Sequence, residues 1–325
     1  MCTAVRFNAK DGSMVFGRNL DWIEGYGQHI VAMPKGYGQR WCFEQADKAQ
    51  RALIGMGIVV DGLPLFFDCA NEDGLAVAGL NFPGYAAYED KPVEGKTNVA
   101  AYEMPWWIAS NFTSVDQLES ALANVAVVSK APKEELGVAQ LHWIVADKER
   151  SIVVEYTADG MNVFDNTVDV LANQPGFGWH LENLRNYMAV TSDAPADVDW
   201  RKQRLTPFGS GLGMLGLPGE FSSPARFVRA AFFNSHYPTQ DGEKSNVVRL
   251  FRTLGAVQMI EGGARVVSGE FEITFYTGGF SAKTRTYYYS DYDNPAIRSV
   301  CMDEALAGAD GSKLVEIHLD EQGWD

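Results

Sequence analysis

The second residue of the chain is a cysteine, and its position could give it unusual chemistry. Because cysteine is small, we expect an aminopeptidase to remove Met1 and leave Cys2 with both a thiol and a free α-amine. An α-amine has a pKa near ~8, so it accepts a proton at neutral pH. A nucleophile beside its own base suits acyl transfer. The alternative is a small apolar residue at the start of an edge strand.

Charged residues that could assist this thiol occur shortly afterwards, in the segment Gly-Arg-Asn-Leu-Asp-Trp at 17–22. If the first two strands form a hairpin, Arg18 and Asp21 return beside residue 2. The carboxylate could then hold the α-amine, and the guanidinium could stabilise a thiolate. The alternative is an exposed ion pair, which contributes little to stability.

Two asparagines precede turn residues at predicted strand ends, Asn81 before Phe-Pro-Gly and Asn173 before Gln-Pro. Asparagine amides can donate hydrogen bonds to a developing oxyanion, although plain turn chemistry explains the same pattern. Two arginines, Arg226 and Arg229, lie one turn apart at a predicted helix start. One of them could face a site, or both could point to solvent.

The elements that would position these residues are mostly paired strands. Residues 2–7 alternate apolar and polar side chains, and Asp11-Gly12 predicts a hairpin turn before the next strand. The other predicted strands are 53–60, 63–69, 75–80, 141–146, 151–156, 161–164 and the region 271–289.

Predicted helices separate these groups of strands. One covers 99–112, a second follows the capping pattern at Ser114 with apolar positions continuing to Val128, a third opens at Ser223-Pro224, and a fourth covers 243–260. Strands that come as adjacent hairpins favour an α+β fold with antiparallel sheets covered by helices. We predict one domain over 1–325, in which the long Gly- and Pro-rich loop 193–220 is a candidate assembly segment.

Composition excludes several functions. The 325 residues carry 27 Lys and Arg against 42 Asp and Glu, a net charge of −15. Such a surface repels nucleic acid and anionic membranes. We expect no signal peptide and no membrane span, hence a cytoplasmic protein with reduced cysteines. The histidines have no ligand spacing, so we expect no metal site, and acyl transfer by a cysteine needs no other cofactor.

Five segments together resemble the choloylglycine hydrolase family, which contains the bile salt hydrolases and penicillin V acylases and belongs to the N-terminal nucleophile hydrolases. These segments are MCTAVRF, FGRNLDW, AGLNFPG, NQPGF and SPARFVRA, and the resemblance extends over nearly the whole chain. It implies a four-layer αββα sandwich, with two antiparallel sheets between helical layers, and a homotetramer.

The resemblance also implies roles for individual residues. Cys2 would be the nucleophile, and the other catalytic positions would be Arg18, Asp21, Asn81, Asn173 and Arg226. Many penicillin V acylases carry tyrosine at the position of Asn81. One departure is Ala172, where the family pattern has threonine before the asparagine; this change removes no catalytic group.

The implied reaction is hydrolysis of the amide bond of glycine- or taurine-conjugated bile salts. A penicillin V acylase or an N-acyl-homoserine lactone acylase would use the same machinery, and a sterol-binding protein without activity would keep only the pocket. A steroid needs a wide apolar cleft, for which we predict Leu20 and the loop residues Leu136, Val138 and Leu141 as walls, with ordinary core as the alternative. We expect Arg226 to supply positive charge for the anionic substrate and Arg229 to pair with an acidic neighbour.

Overall fold

The computed structural model describes residues 1–319. Within them, two large antiparallel sheets form the centre of the molecule. The first sheet has six strands, which are, in spatial order, Val170–Leu171, Cys2–Asn8, Met14–Trp22, Ile273–Ser281, Thr286–Asp291 and Arg298–Cys301. It therefore joins the amino-terminal hairpin to four strands from later in the chain.

The second sheet has eight strands within residues 1–319. In spatial order they are Gly160–Asp165, Ser151–Thr157, Leu141–Ala146, Ala76–Asn81, Leu63–Asn71, Leu53–Val60, His29–Met33 and Val315–Ile317. Short two-stranded pairings join Thr97–Ala100 to Val125–Val128, Val198–Trp200 to Gln203–Leu205, and Gly38–Gln39 to Asp47–Lys48.

Helices cover the outer face of each sheet. Ser223–His236 and Glu243–Gly255 pack on the first sheet, and Met104–Asn111 packs on the second. The remaining α-helices of the described chain are Val115–Leu122, Phe177–Asn183 and Met302–Ala305. One apolar cluster fills the space between the sheets and a second lies beneath Met104–Asn111. The order of layers is helix, sheet, sheet, helix, so the predicted αββα sandwich is confirmed.

The predicted amino-terminal hairpin is also confirmed. Cys2 lies opposite Leu20, and Ala4 lies opposite Arg18, across the first two strands. Asp11 and Gly12 are in the turn, where Gly12 adopts a φ of 84° that a side chain would disfavour. The hairpin therefore places Arg18 opposite a residue only two positions along the strand from Cys2, as the turn signal predicted.

Three predicted helices have different bounds in the structure. The segment predicted as a helix from residue 99 is instead a strand up to Ala100 and becomes α-helical only at Met104. The apolar spacing after Ser114 continues to Val128, but the helix ends at Leu122 and the rest is a strand, because a buried parallel strand is apolar at every position. The last predicted helix ends at Gly255 rather than at residue 260.

The 193–220 segment lies at the surface and carries large apolar side chains. Trp200 is 74% exposed, Leu215 is 80% exposed, and Phe208 is fully exposed. A short hairpin over Val198–Leu205 gives the segment some regular structure. Among residues 1–319, no helix has the length and apolar character that crossing a membrane requires.

Candidate active site

Cys2 lies in the wall of a pocket and is only 5% exposed. Its Sγ accepts a hydrogen bond from Nη2 of Arg18 at 2.5 Å. Its backbone nitrogen donates to Oδ1 of Asn173 at 2.7 Å, and its carbonyl oxygen accepts from Nη1 of Arg226 at 2.5 Å. Each polar atom of Cys2 thus contacts one of the candidate residues.

The Arg18 guanidinium is buried between the sheets. Its Nη1 donates to the carbonyl oxygens of Phe67 at 3.1 Å and Gly79 at 2.9 Å, both in the second sheet. Burial opposes its charged form, but the negative charges of Cys2 and Asp68 outweigh burial and raise the pKa of Arg18 above its ordinary value. A permanent positive charge therefore lies against the Cys2 sulfur.

Asn173 is held at every polar group. Its backbone nitrogen donates to Oγ of Ser223 at 2.9 Å, and its carbonyl oxygen lies 2.9 Å from Nε2 of His180. Its Oδ1 accepts from Nη2 of Arg226 as well as from the Cys2 nitrogen, and its Nδ2 donates to the carbonyl oxygen of Asn81. The side-chain amide of Asn173 is thus fixed by its contacts with Cys2, Arg226 and Asn81; the residue is fully buried and is not among those that line the pocket.

Arg226 and Asp21 form a buried pair of opposite charges. Nη1 of Arg226 lies 3.7 Å from Oδ2 of Asp21, and both side chains are fully buried. Oδ1 of Asp21 accepts from the hydroxyl of Thr274 at 2.6 Å. Burial lowers the pKa of Arg226 and raises that of Asp21, while each charge favours the ionised form of the other.

The two arginines of the helix Ser223–His236 bind different parts of the fold. Arg226 points inward and contacts Cys2 and Asn173, although it is not among the residues that line the pocket, so its role toward an anionic substrate stays a prediction. Arg229 donates to the backbone carbonyls of Pro218, Glu220 and Ala256. Arg229 thus binds carbonyl oxygens rather than the acidic side chain we expected.

The pocket beside Cys2 has a volume of about 440 Å³. Its walls are mostly apolar, and the structure places all four predicted wall residues on them: Leu20, Leu136, Val138 and Leu141. Asn81, Arg18 and Asp21 lie on the polar part of the lining. The loop around Leu136 closes one side, where this residue is 46% exposed.

Sequence reasoning missed several lining residues, above all aromatic ones. Tyr26, Phe67 and Tyr102 face the pocket. Burial, together with the charges of Cys2 and Glu24, raises the pKa of Tyr26 to about 12, so its hydroxyl remains a hydrogen-bond donor. These residues come from separate loops and strands without a shared motif, so only their aromatic character could have marked them.

A second group that the sequence did not reveal lies behind the asparagines. His142 and Glu155 are buried in neighbouring strands and contact each other, with Nδ1 and Oε1 3.2 Å apart. The available signal was one ionisable residue in each of two largely apolar strands. Such positions in a core require partners.

Two antiparallel sheets between helical layers, with a cysteine at position 2 on the first central strand, define the class of N-terminal nucleophile hydrolases. Comparison with known proteins identifies the family within that class. The model of the linear amide C–N hydrolases, choloylglycine hydrolase family, matches residues 2–315. The chain belongs to this family.

Individual relatives are similar over nearly their full length. A bile salt hydrolase/transferase of Bifidobacterium longum subsp. longum is 52% identical, over 98% of this chain and 99% of that protein. A conjugated bile acid hydrolase of Lactobacillus gasseri is 43% identical, over 95% and 98%. The crystal structure of an R18L variant of conjugated bile acid hydrolase from Clostridium perfringens superposes with a TM-score of 0.92 at 33% identity, covering 98% of each chain.

Proposed function

We propose that this protein hydrolyses the amide bond of glycine- or taurine-conjugated bile salts. The observation that carries the proposal is a cysteine thiol, with a guanidinium against it, opening onto a largely apolar pocket. A steroid body is rigid and apolar, and such a pocket can bury it. The names of the relatives supply the substrate class, and the family supplies the amide-hydrolase chemistry.

The proposed reaction begins with Cys2 after removal of Met1. Its Sγ attacks the amide carbonyl carbon, and a tetrahedral oxyanion forms. The Cys2 α-amine takes the thiol proton and gives it to the leaving nitrogen, the C–N bond breaks, and glycine or taurine departs. Water then attacks the thioester, the C–S bond breaks, and the free bile acid leaves with the thiol restored.

The asparagines have the proposed task of stabilising the oxyanion. Nδ2 of Asn173 donates one hydrogen to the carbonyl oxygen of Asn81 and carries a second that could serve the oxyanion, while Asn81 itself lines the pocket. Arg226 keeps Asn173 and the Cys2 carbonyl in place. Asp21 has the proposed task of orienting the freed α-amine. Its carboxylate also lies beside the Arg226 guanidinium and balances the positive charge there.

Replacement of Cys2 tests this proposal. Cys2→Ala is expected to abolish release of glycine from glycocholate while the fold persists, because no other group can form the thioester. Cys69→Ala is the matched control, since Cys69 is also a buried cysteine but lies in the second sheet and outside the pocket lining. Activity that survives Cys2→Ala, or disappears only in Cys69→Ala, would refute the assignment.

The same machinery would serve a penicillin V acylase or an N-acyl-homoserine lactone acylase. A comparison of kcat/KM for glycocholate, penicillin V and an acyl-homoserine lactone separates the three. We expect glycocholate to be preferred, because its rigid ring system fits a wide apolar pocket. A sterol-binding protein without activity would turn over none of them and would still bind the free bile acid.

Self-association into a homotetramer is the second part of the proposal. It is supported by the exposed apolar side chains of the 193–220 segment, since contiguous exposed apolar surface marks interaction sites. Light scattering after gel filtration tests it. A mass of four chains that falls when Trp200 and Phe208 are replaced with serine is expected, and a monomer in both cases would contradict it. Cytoplasmic location stays a prediction from the amino-terminal residues.

A further inference from the structure

A single buried histidine lies behind both candidate oxyanion residues. His142 is fully buried in the strand Leu141–Ala146. Its ring stacks on Phe82, with centroids 4.1 Å apart and planes within 8° of parallel. Its Nε2 lies 2.9 Å from the carbonyl oxygen of Ala172. Phe82 directly follows Asn81, and Ala172 directly precedes Asn173, so one ring contacts the chain beside each asparagine.

The partners of His142 fix the role of its Nε2. The Ala172 carbonyl can only accept, so Nε2 carries a proton and donates it. The other ring nitrogen, Nδ1, faces Oε1 of Glu155 at 3.2 Å, and that oxygen also accepts from the backbone nitrogen of Phe177 at 2.9 Å. Glu155 is 3% exposed, so it holds the imidazole in one orientation.

We propose that His142 is a positioning residue for the hydrolase reaction. Its Nε2–H fixes the Ala172 carbonyl, and with it the peptide unit that leads to Asn173. This holds the Asn173 side chain where its Nδ2 can reach the oxyanion. Because the transition state is sensitive to the placement of such donors, a small displacement of Asn173 would lower kcat more than it alters substrate binding. This inference rests on the proposed oxyanion role of Asn173.

A pair of opposed substitutions separates positioning from mere packing. In His142→Gln the amide nitrogen occupies the place of Nε2 and keeps the bond to Ala172, whereas the contact with Glu155 is lost. In His142→Asn the amide nitrogen occupies the place of Nδ1, so the Glu155 contact remains and the Ala172 carbonyl loses its donor. Both variants lose the ring that stacks on Phe82, and they differ in size by one methylene group.

The expected result is a difference in kcat between the two variants. His142→Gln should keep kcat for glycocholate within about threefold of the unsubstituted protein, and His142→Asn should lower it at least ~10-fold, with KM changed less than about twofold in both. The rate of Cys2 alkylation by iodoacetamide should be the same in both. His236→Asn, on the same chain but outside this cluster, controls for loss of an imidazole and should leave kcat unchanged.

Equal kcat values for the two variants, or a lower value for His142→Gln, would overturn the inference. If His142→Asn does not fold, His142→Leu takes its place, because it fills much of the same volume and also leaves the Ala172 carbonyl without a donor. A fall in kcat at constant KM is then expected, and an unchanged kcat would overturn the inference. Failure of the hydrolase proposal would appear separately, as activity that survives Cys2→Ala.

Discussion

The polar side chains of the site are arranged as one connected set around Cys2. Arg18 contacts its sulfur, Asn173 its nitrogen and Arg226 its carbonyl oxygen. Each of these partners is buried, so each hydrogen bond replaces contact with water and is costly to lose. The geometry therefore fixes the direction of the thiol before any substrate arrives.

The two arginines of one helix should differ in the effect of their removal. Arg226→Ala should lower kcat/KM at least ~10-fold, about 1.4 kcal/mol of transition-state stabilisation, because Asn173 and Cys2 lose a shared donor. Arg229→Ala should lower the free energy of unfolding by about 1–3 kcal/mol, since three carbonyl oxygens lose theirs. Steady-state kinetics and urea unfolding of both variants check this, and the opposite distribution of effects would refute it.

His180 gives the site a predicted dependence on pH. Burial lowers the pKa of His180 to about 4. Between that value and its ordinary ~6.5, the unfolded chain binds a proton that the folded chain does not, so stability falls as pH falls. In His180→Gln, whose amide nitrogen can still donate to Asn173, this contribution is absent.

We therefore expect the unsubstituted protein to lose about 2 kcal/mol more stability than His180→Gln between about pH 7 and about pH 5. Urea unfolding of both proteins at the two pH values measures the difference. If both lose the same amount, His180 carries a proton in the folded state as readily as in the unfolded one.

Sequence could predict the residues of the site better than their contacts. Arg18 was found because a hairpin has few possible registers once its turn is known. The partners of Arg226 could not be predicted, because Asn173 lies two residues beyond a two-residue strand, Val170–Leu171, that is too short to show periodicity. His142 and Glu155 acquire meaning only when two strands are aligned in the sheet.

At the scale of elements, the loop before the strand Leu141–Ala146 closes the pocket. Leu136 lies in its short 3₁₀ turn, Glu134–Leu136, and is partly exposed, whereas Leu20 is only 6% exposed and belongs to the core as well. A charge at Leu136 should thus affect substrate binding without disturbing the fold. A charge at Leu20 would alter substrate binding and the stability of the fold together.

Leu136→Glu should raise KM for glycocholate roughly 10-fold, about 1.4 kcal/mol, because a carboxylate would face the apolar body of the substrate and repel its anionic end. The melting temperature should change little, as is usual for surface positions. Val267→Glu is the matched control at a fully exposed position outside the pocket lining. An unchanged KM with a lowered melting temperature would place Leu136 in the core instead.

Elements with strong turn signals were predicted well, and those without them were not. The strands 53–60 and 141–146 agree with the structure to the residue. Val125–Val128 was assigned to a helix, because its spacing from Val115 is compatible with either structure and only pairing with Thr97–Ala100 decides. Tertiary pairing thus overrode local periodicity.

The whole molecule carries a net charge of −15, whereas the proposed substrate is an anion. Among the described pocket residues Arg18 is the one cation, and Asp21 lies beside it on the lining. The field of the protein therefore opposes the approach of substrate. Raising NaCl from about 20 to about 200 mM should increase kcat/KM for glycocholate about twofold by screening, with kcat unchanged.

An uncharged cholic acid amide is the control for this experiment, since screening should not alter its approach. A kcat/KM for glycocholate that falls with salt would show that local positive charge dominates the approach. Both substrates must be kept below the concentration at which they form micelles.

The central claim is that Cys2 acts as nucleophile with its own α-amine as base, and this requires loss of Met1. The most direct measurement compares specific activity on glycocholate with the fraction of chains whose intact mass lacks Met1, across preparations processed to different extents. We predict that specific activity is proportional to the fraction of chains that lack Met1, and that a preparation without such chains is inactive. Full activity in chains that retain Met1 would contradict the account, because Cys2 would then have an amide nitrogen and no base.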